Sequence, residues 1–505
     1  MVRSAGGVLI AALLLVPEGC SNVPSTVSPA VATRAEPAST SVCEGHGSET
    51  LSQLLACIQR DRLWSRLAVF QKIADANPAP GGHGNRDTGS PGYEASVDYV
   101  AGLMHRAGYH VTVQPYVYKA SRIDGVPTFD VGDPRFAYER DWFVARGSPG
   151  GTVTAPVQPP NSDGCSRRDF DGFSRGNVAL IERSMCAFDE QVANARAAGA
   201  SAAILYNDEG GAYEGRLMDP ATMPVIGVAG KDLGSDLLRR FQSGAAPQAH
   251  IAIRTHNTHG IDYNLIADSP FGDPNSVVVV DAHLDAIYGA GMLDNASGST
   301  TIIEVALNLA KTPTHNRLRY IWFGGEELGL LGSHYYTQHL TPPELRGIAF
   351  DVDADVTATP NFDVLVADAR RASNMHHFPP NVVPQSKIGN EYFGDYFRNS
   401  GIVFRAARFG NDGTDSNAFS LVGVPNTGIL TQQDCCKHSW EKRLWGGFLG
   451  NYEGDIPSFN GGCVDKPDRW CDNLSNNDPF VLEFASKSVA YVAFQLANHT
   501  FPASR

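Results

Sequence analysis

The chain has 505 residues, is 42% hydrophobic and carries a formal net charge of −14. That length provides for two or three folded units with ample core. The acidic balance, with no run of Lys or Arg, argues against nucleic acid and anionic lipid surfaces as partners.

Met1-Val2-Arg3 is positively charged and precedes an apolar run, Val8–Val16, too short to span a membrane and of the length of a signal-peptide core. Gly19-Cys20 closes it. A small residue before Cys resembles a bacterial lipoprotein cleavage site, which would make Cys20 a lipidated N-terminus; Pro17 and Glu18 depart from that pattern. Residues 1–20 are therefore read as a signal segment, and the chain as exported, either secreted or anchored to the cell envelope through Cys20. Residues 21–42 are mostly Ser, Thr, Pro and Ala and read as a disordered tether. No later stretch reaches about 18 consecutive apolar residues, so no transmembrane helix is expected.

Of the nine cysteines, setting Cys20 aside leaves eight, an even number that suits disulfides in an oxidising compartment. Cys43 and Cys57 are placed to staple the first helix, and Cys165 and Cys186 bracket a short loop-and-strand unit. Cys435, Cys436, Cys463 and Cys471 are further disulfide candidates whose pairing stays open; they lack the Cys-x-x-Cys elements of a zinc cluster.

Leu51–Ala76 has helical apolar spacing. A loop rich in Gly, Pro and Asn follows, ending at Asn85–Gly92. Tyr93–Ala107 is again helical, with Gly108 as its stop. His110–Val117 alternates as a strand does. Residues 120–256 change character: the short runs Asn177–Ile181, Ala202–Tyr206 and Pro224–Val228 accompany a helix at Asp189–Ala198. This block reads as an inserted domain, leaving residues 43–119 and 257–505 as the two parts of a main one. In the second part strands at Val277–Val280, Arg317–Phe323 and Ile348–Val352 alternate with helices at Ser299–Ala310, Leu328–Leu340 and Tyr392–Asn399, before a last helix at Phe480–Ala497. Alternation of this kind predicts an α/β fold, a mixed, mostly parallel sheet sandwiched by helices.

Polar residues stand where two of these apolar runs stop. His283-Leu284-Asp285 follows Val277–Ala282, with Asp294 a few residues on, and Glu326-Glu327 follows Tyr320–Gly325. In an open α/β sheet that is the ligand-binding edge. Imidazole with carboxylates suits a borderline divalent cation such as zinc. His283 is the natural ligand and Asp285 the group that orients its imidazole. Adjacent Glu326 and Glu327 point differently, so one would bind metal while the other takes a proton from water. Taken singly, His-x-Asp at a strand end is a capped loop and paired glutamates are helix-dipole partners; their joint placement favours a metal site.

The strings His283-Leu284-Asp285, Gly291–Gly298 around Asp294, and Phe323-Gly-Gly-Glu326-Glu327-Leu-Gly-Leu-Leu-Gly-Ser resemble the M28 family of zinc aminopeptidases. Asn85–Gly92 resembles that family's early Arg-x-x-Gly-Ser-x-Gly stretch, and Cys165 through Ala203 resembles a protease-associated (PA) domain, a smaller β-rich α/β insert common in the family. The resemblance implies the zinc-exopeptidase fold and two zinc ions per chain. His283 and Asp355 would hold one ion, Glu327 and His438 the other, and Asp294 would bridge them. Glu326 would be the general base and Asp285 the partner of His283. Asp355-Val-Thr-Ala-Thr-Pro-Asn361 carries the fourth assignment, with Asp351 and Asp353 as competitors; His376 and His377 compete with His438. Such an enzyme removes single residues from the N-termini of peptides and proteins. Where some relatives have an aromatic residue before the last histidine, this chain has Lys437, a substitute oxyanion stabiliser. The stretch Gly413–Asn417 lacks the Arg and His that some relatives use. The alternatives on the same scaffold are a single-zinc glutaminyl cyclase, a carboxypeptidase or a catalytically silent binding protein. Asn295, Asn473 and Asn498 begin glycosylation sequons, of which Asn295 adjoins the metal loop and is expected to be unmodified.

Overall fold

The structure is a computed structural model. It describes residues 43, 47–79, 82–138, 140–184, 186–208, 212, 215, 217, 221–287, 289–372, 378–409, 414–432, 437–449 and 472–501. Cys20, Cys435, Cys436, Cys463, Cys471, His376 and His377 lie outside these residues.

In chain order the elements begin with α1 (Leu51–Cys57), α2 (Arg60–Ala76), α3 (Pro91–Ala107), β1 (His110–Ile123), β2 (Thr128–Asp130) and β3 (Gly151–Gln158). Then come β4 (Val178–Glu182), α4 (Phe188–Ala197), β5 (Ala202–Tyr206), β6 (Val225–Ala229), α5 (Lys231–Gln242), β7 (Gln248–Ile253) and β8 (Thr255–Asp268). The rest are β9 (Asp273–His283), α6 (Ala296–Leu309), β10 (Asn316–Phe323), α7 (Leu331–His339), α8 (Pro342–Gly347), β11 (Ile348–Ala354), β12 (Leu365–Ala372), α9 (Val382–Ser400), β13 (Arg405–Phe409), α10 (Ser416–Leu421), β14 (Asn426–Leu430), α11 (Ser439–Trp445) and α12 (Pro479–Ala497).

An eight-stranded mixed sheet runs β1-β8-β10-β9-β11-β14-β12-β13. Its centre, β10-β9-β11-β14, is parallel. The valine run of β9 shows why such a strand is apolar throughout. Val278 and Val280 pack into the core beneath α2, α3, α6 and α12, while Val277 and Val279 pack on the opposite face with Tyr336 of α7 and Phe419 of α10. Period-two alternation thus divides one hydrophobic run between two covered faces. Helix α12 is long and apolar enough to cross a membrane, yet most of it is buried in this core.

The second sheet, β2-β7-β3-β4-β5-β6, is built wholly from the chain between β1 and β8 and has its own cores. β1 and β8 pair antiparallel along their entire lengths, from His110 opposite Asp268 to Ile123 opposite Thr255. The disulfides Cys43–Cys57 and Cys165–Cys186 are both formed.

Three expected helices differ clearly in extent; Tyr392–Asn399 is only the later part of α9, which runs Val382–Ser400. Leu51–Ala76 is broken at Ile58 and Gln59, both extended, immediately after the disulfide at Cys57. The helix expected from Leu328 starts at Leu331, because Gly329 and Leu330 donate to the Glu326 carbonyl in a tight turn and Leu330 is left-handed, at φ 58°.

Candidate metal centre

β9 continues into α6 and on to β10 on one side, whereas β11 flanks β9 on the other. The strand order therefore reverses about β9, and the crevice at the carboxyl ends of β9, β10 and β11 is the ligand-binding position of such a sheet. His283 is the last residue of β9 and pairs with Phe323, the last of β10; Asp355 immediately follows β11.

Asn295 draws the start of α6 to this edge. Its Oδ1 accepts from Gly298 N at 2.8 Å and Val356 N at 3.2 Å, and its Nδ2 donates to the Ala354 carbonyl at 3.0 Å. Buried and engaged in this way, Asn295 presents no free amide to a glycosylating enzyme. Gly298 is required at the crossing, since a Cβ there would stand 2.0 Å from the Ala354 carbonyl oxygen. The result is that His283 Nε2 lies 3.0 Å from Asp294 Oδ1, 3.4 Å from Asp355 Oδ1 and 3.9 Å from Glu326 Oε2. Among the described residues, His283, Asp294 and Asp355 form the cluster whose donor atoms all lie within 4.8 Å of one another. Of the aspartates at 351, 353 and 355, Asp355 is the one beside the imidazole. Asp353 is buried lower on the same strand face, and burial, with the charge of Asp355, pushes its carboxyl up to about 8.

Asp285 ties the strand ends together. Its main-chain carbonyl is 3.1 Å from His283 Nδ1 and its Oδ1 3.5 Å. The same carboxylate accepts from Glu326 N at 3.2 Å, Glu327 N at 3.3 Å and Thr88 Oγ1 at 2.8 Å. Arg86, fully buried, donates to the carbonyls of Leu284, Ala290 and Gly291, each at 2.7 Å. The Asp472 carboxylate accepts from the amides of Leu293 and Asp294 at 2.9–3.0 Å and so fixes the loop that presents Asp294.

Burial opposes charge on His283, but Glu326 and hydrogen bonds to Asp285, Asp294 and Asp355 hold its pKa well above the usual imidazole value. Burial, then the charge of Glu327, pushes Asp294 up to about 6; burial raises Asp355 to about 6 against the pull of His283. One imidazole cannot offset so many buried carboxylates, and a divalent cation relieves their repulsion. The donor set, imidazole with carboxylates, suits zinc. Asp355 Oδ1 is buried, with the His283 imidazole 3.4 Å away as its ion-pair partner.

Of the other expected site residues, Glu327 is close enough for its charge to act on Asp294, whereas His438 and Lys437 are not part of the three-residue cluster. Glu327 Oε2 is 2.5 Å from Arg146 Nη1. His438 caps α11, its amide donating to Glu441 Oε2 at 2.8 Å. The Lys437 ammonium donates to the Phe362 carbonyl at 2.5 Å, with Asn361 at 3.4 Å, and makes no hydrogen bond or ion pair with His283, Asp294 or Asp355. Burial lowers its pKa to about 8.

Residues 264–446 match Peptidase family M28, and residues 153–236 match the PA domain. An aminopeptidase of Pseudomonas aeruginosa is 30% identical over 466 residues, covering 88% of this chain and 82% of that protein. The chain belongs to peptidase family M28. This peptidase is a hydrolase of the metallo-aminopeptidase class and carries a PA domain. A probable lipoprotein aminopeptidase of Mycobacterium tuberculosis is 31% identical to it, with 77% of each chain covered. Its fold is that of solved aminopeptidases: the structure from Aneurinibacillus sp. strain AM-1 superposes with a TM-score of 0.64 at 21% identity, covering 90% of the peptidase and 98% of that chain.

Thr88, Asp472 and Arg146 were not picked out by sequence reasoning. Arg146 does carry a signal of the same kind as His283, a polar residue closing the apolar run Trp142–Ala145. Asp472 carries none.

Proposed function

We propose that this chain is an exported two-zinc aminopeptidase that removes single residues from peptide N-termini. The observation that carries the reading is the convergence of His283, Asp294 and Asp355 at the strand-order reversal, with Glu326 3.9 Å from the imidazole. His283 and Asp355 would hold one ion, Glu327 and His438 a second, and Asp294 would bridge. Bound zinc would supply Lewis acidity and lower the pKa of water. Glu326 takes the proton of the attacking water and delivers it to the leaving amine. Asp285 keeps the His283 ring turned so that Nε2 faces Asp294 and Asp355, and holds the Glu326 and Glu327 amides in place. The surrounding carboxylates favour a substrate's terminal ammonium over an internal peptide bond. Lys437 is less suited to the oxyanion role, being committed to Phe362 and Asn361.

Export is read from the Val8–Val16 segment, and the mycobacterial relative, a probable lipoprotein, favours an envelope location, for which Cys20 would be the anchor. The test is metal analysis of the purified chain with an assay on aminoacyl anilides. Two equivalents of zinc and chelator-sensitive release are expected. One equivalent with cyclisation of N-terminal glutamine, or activity on N-acetylated peptides, would overturn the assignment.

A further inference from the structure

We propose that Arg146 is a positioning residue through which the second sheet's domain controls how firmly the centre retains metal; this rests on Glu327 being a ligand, as above. Arg146 is mounted on the second sheet. Its amide donates to the Gly215 carbonyl at 3.0 Å, its carbonyl accepts from Leu217 N at 2.9 Å, and Ala145 N donates to Val225 of β6 at 3.1 Å. Gly147, at φ 84°, completes the turn where a Cβ would stand 2.7 Å from the Leu217 carbonyl oxygen. From that mount the guanidinium crosses to the main sheet, Nη1 meeting Glu327 Oε2 at 2.5 Å and the Glu327 carbonyl at 3.0 Å. Both partners are shielded from solvent.

Glu327 is thus fixed from two sides. Asp285 holds its amide, and Arg146 holds its carbonyl and carboxylate. A carboxylate already held by a charge-assisted bond loses little rotational freedom on ligation, and such outer partners typically contribute about 10–100-fold to metal affinity. The guanidinium would also carry a like charge to the metal, but the Glu327 carboxylate that it binds offsets that charge. Orientation therefore outweighs repulsion, and removing Arg146 weakens binding.

The experiment uses the full chain loaded with zinc and mixed with excess chromophoric chelator, following release in time. For R146A one release phase accelerates about 10–100-fold while the other is unchanged. R146K restores part of the effect, since a lysine keeps the charge without the planar fork. Equal release from wild type and both variants overturns the proposal. So does slower release from R146A, the result expected of a guanidinium that only competes with metal for Glu327. A wild-type chain that retains no zinc removes the ligand reading, and this inference with it.

Discussion

Asp285→Asn tests whether the carboxylate that joins the strand ends is what gives the centre its geometry. In the native chain it accepts from Thr88 Oγ1, Glu326 N and Glu327 N, and stands beside His283 Nδ1. An asparagine replaces one oxygen by a donor. Its better orientation turns the new amide toward Thr88, whose hydroxyl can rotate to accept, and keeps oxygen toward Glu326. That leaves Glu327 N as a buried donor without an acceptor, which costs about 1–3 kcal/mol. The loss of charge beside the imidazole adds to this. At about 1.4 kcal/mol per decade, the sum corresponds to roughly 10–100-fold, the range found when the carboxylate partner of a metal-bound histidine is altered. The assay is zinc affinity by chelator competition, together with kcat on an aminoacyl anilide at saturating zinc. Affinity should fall by that factor, KM should change little, and added zinc should recover much of the activity. Wild-type affinity and rate in D285N would refute the reasoning.

Glu326→Gln should keep metal and fold but lose about 100- to 10,000-fold in kcat; near-wild-type turnover would remove Glu326 from the chemistry. Arg86→Met strips the donors from three buried carbonyls, at about 1–3 kcal/mol for each left unsatisfied, so thermal melting should move clearly downward, and an unchanged melting temperature would show that water replaces the guanidinium at little cost. Burial, then the charge of Asp285, pushes the Asp262 carboxyl up to about 8. Folding therefore favours its protonated form. Its contribution to stability is complete below the unfolded value, about 3.9, and is lost as pH rises through 8. Asp262→Asn should gain on wild type between about pH 5 and about pH 9 in urea unfolding, and parallel pH profiles would contradict this.

The central strands were legible because a parallel strand covered on both faces must be apolar at every position until it ends. Val277–Val280 announced β9, and the first polar groups after it marked the sheet edge. His283 and Asp294 could be related by sequence because they lie 11 positions apart on one strand–loop–helix unit. Arg86 and Asp472 act on that same unit from 198 and 178 positions away. Nothing local distinguishes a buried arginine that binds carbonyls from one that faces solvent, and the Asp472 carboxylate takes its meaning only from the amides it meets. The break at Ile58 and Gln59 was hidden for a related reason. Helical spacing persists across it, and the interruption follows Cys57, whose disulfide partner is 14 residues away.

The long β1–β8 ladder gives the second sheet a particular standing in the molecule. The chain departs for it at Ile123 and returns at Thr255, and these two residues face each other across the ladder. Whatever lies beyond that rung hangs from the tip of a two-stranded ribbon, like a flag on a mast. A lineage could lengthen, shorten or exchange such an appendage without shifting the registration of any strand at the centre, because closing a loop costs little more as it grows. Its grip on the edge that carries Glu327 would then rest on single contacts such as Arg146, which selection can add or discard one residue at a time.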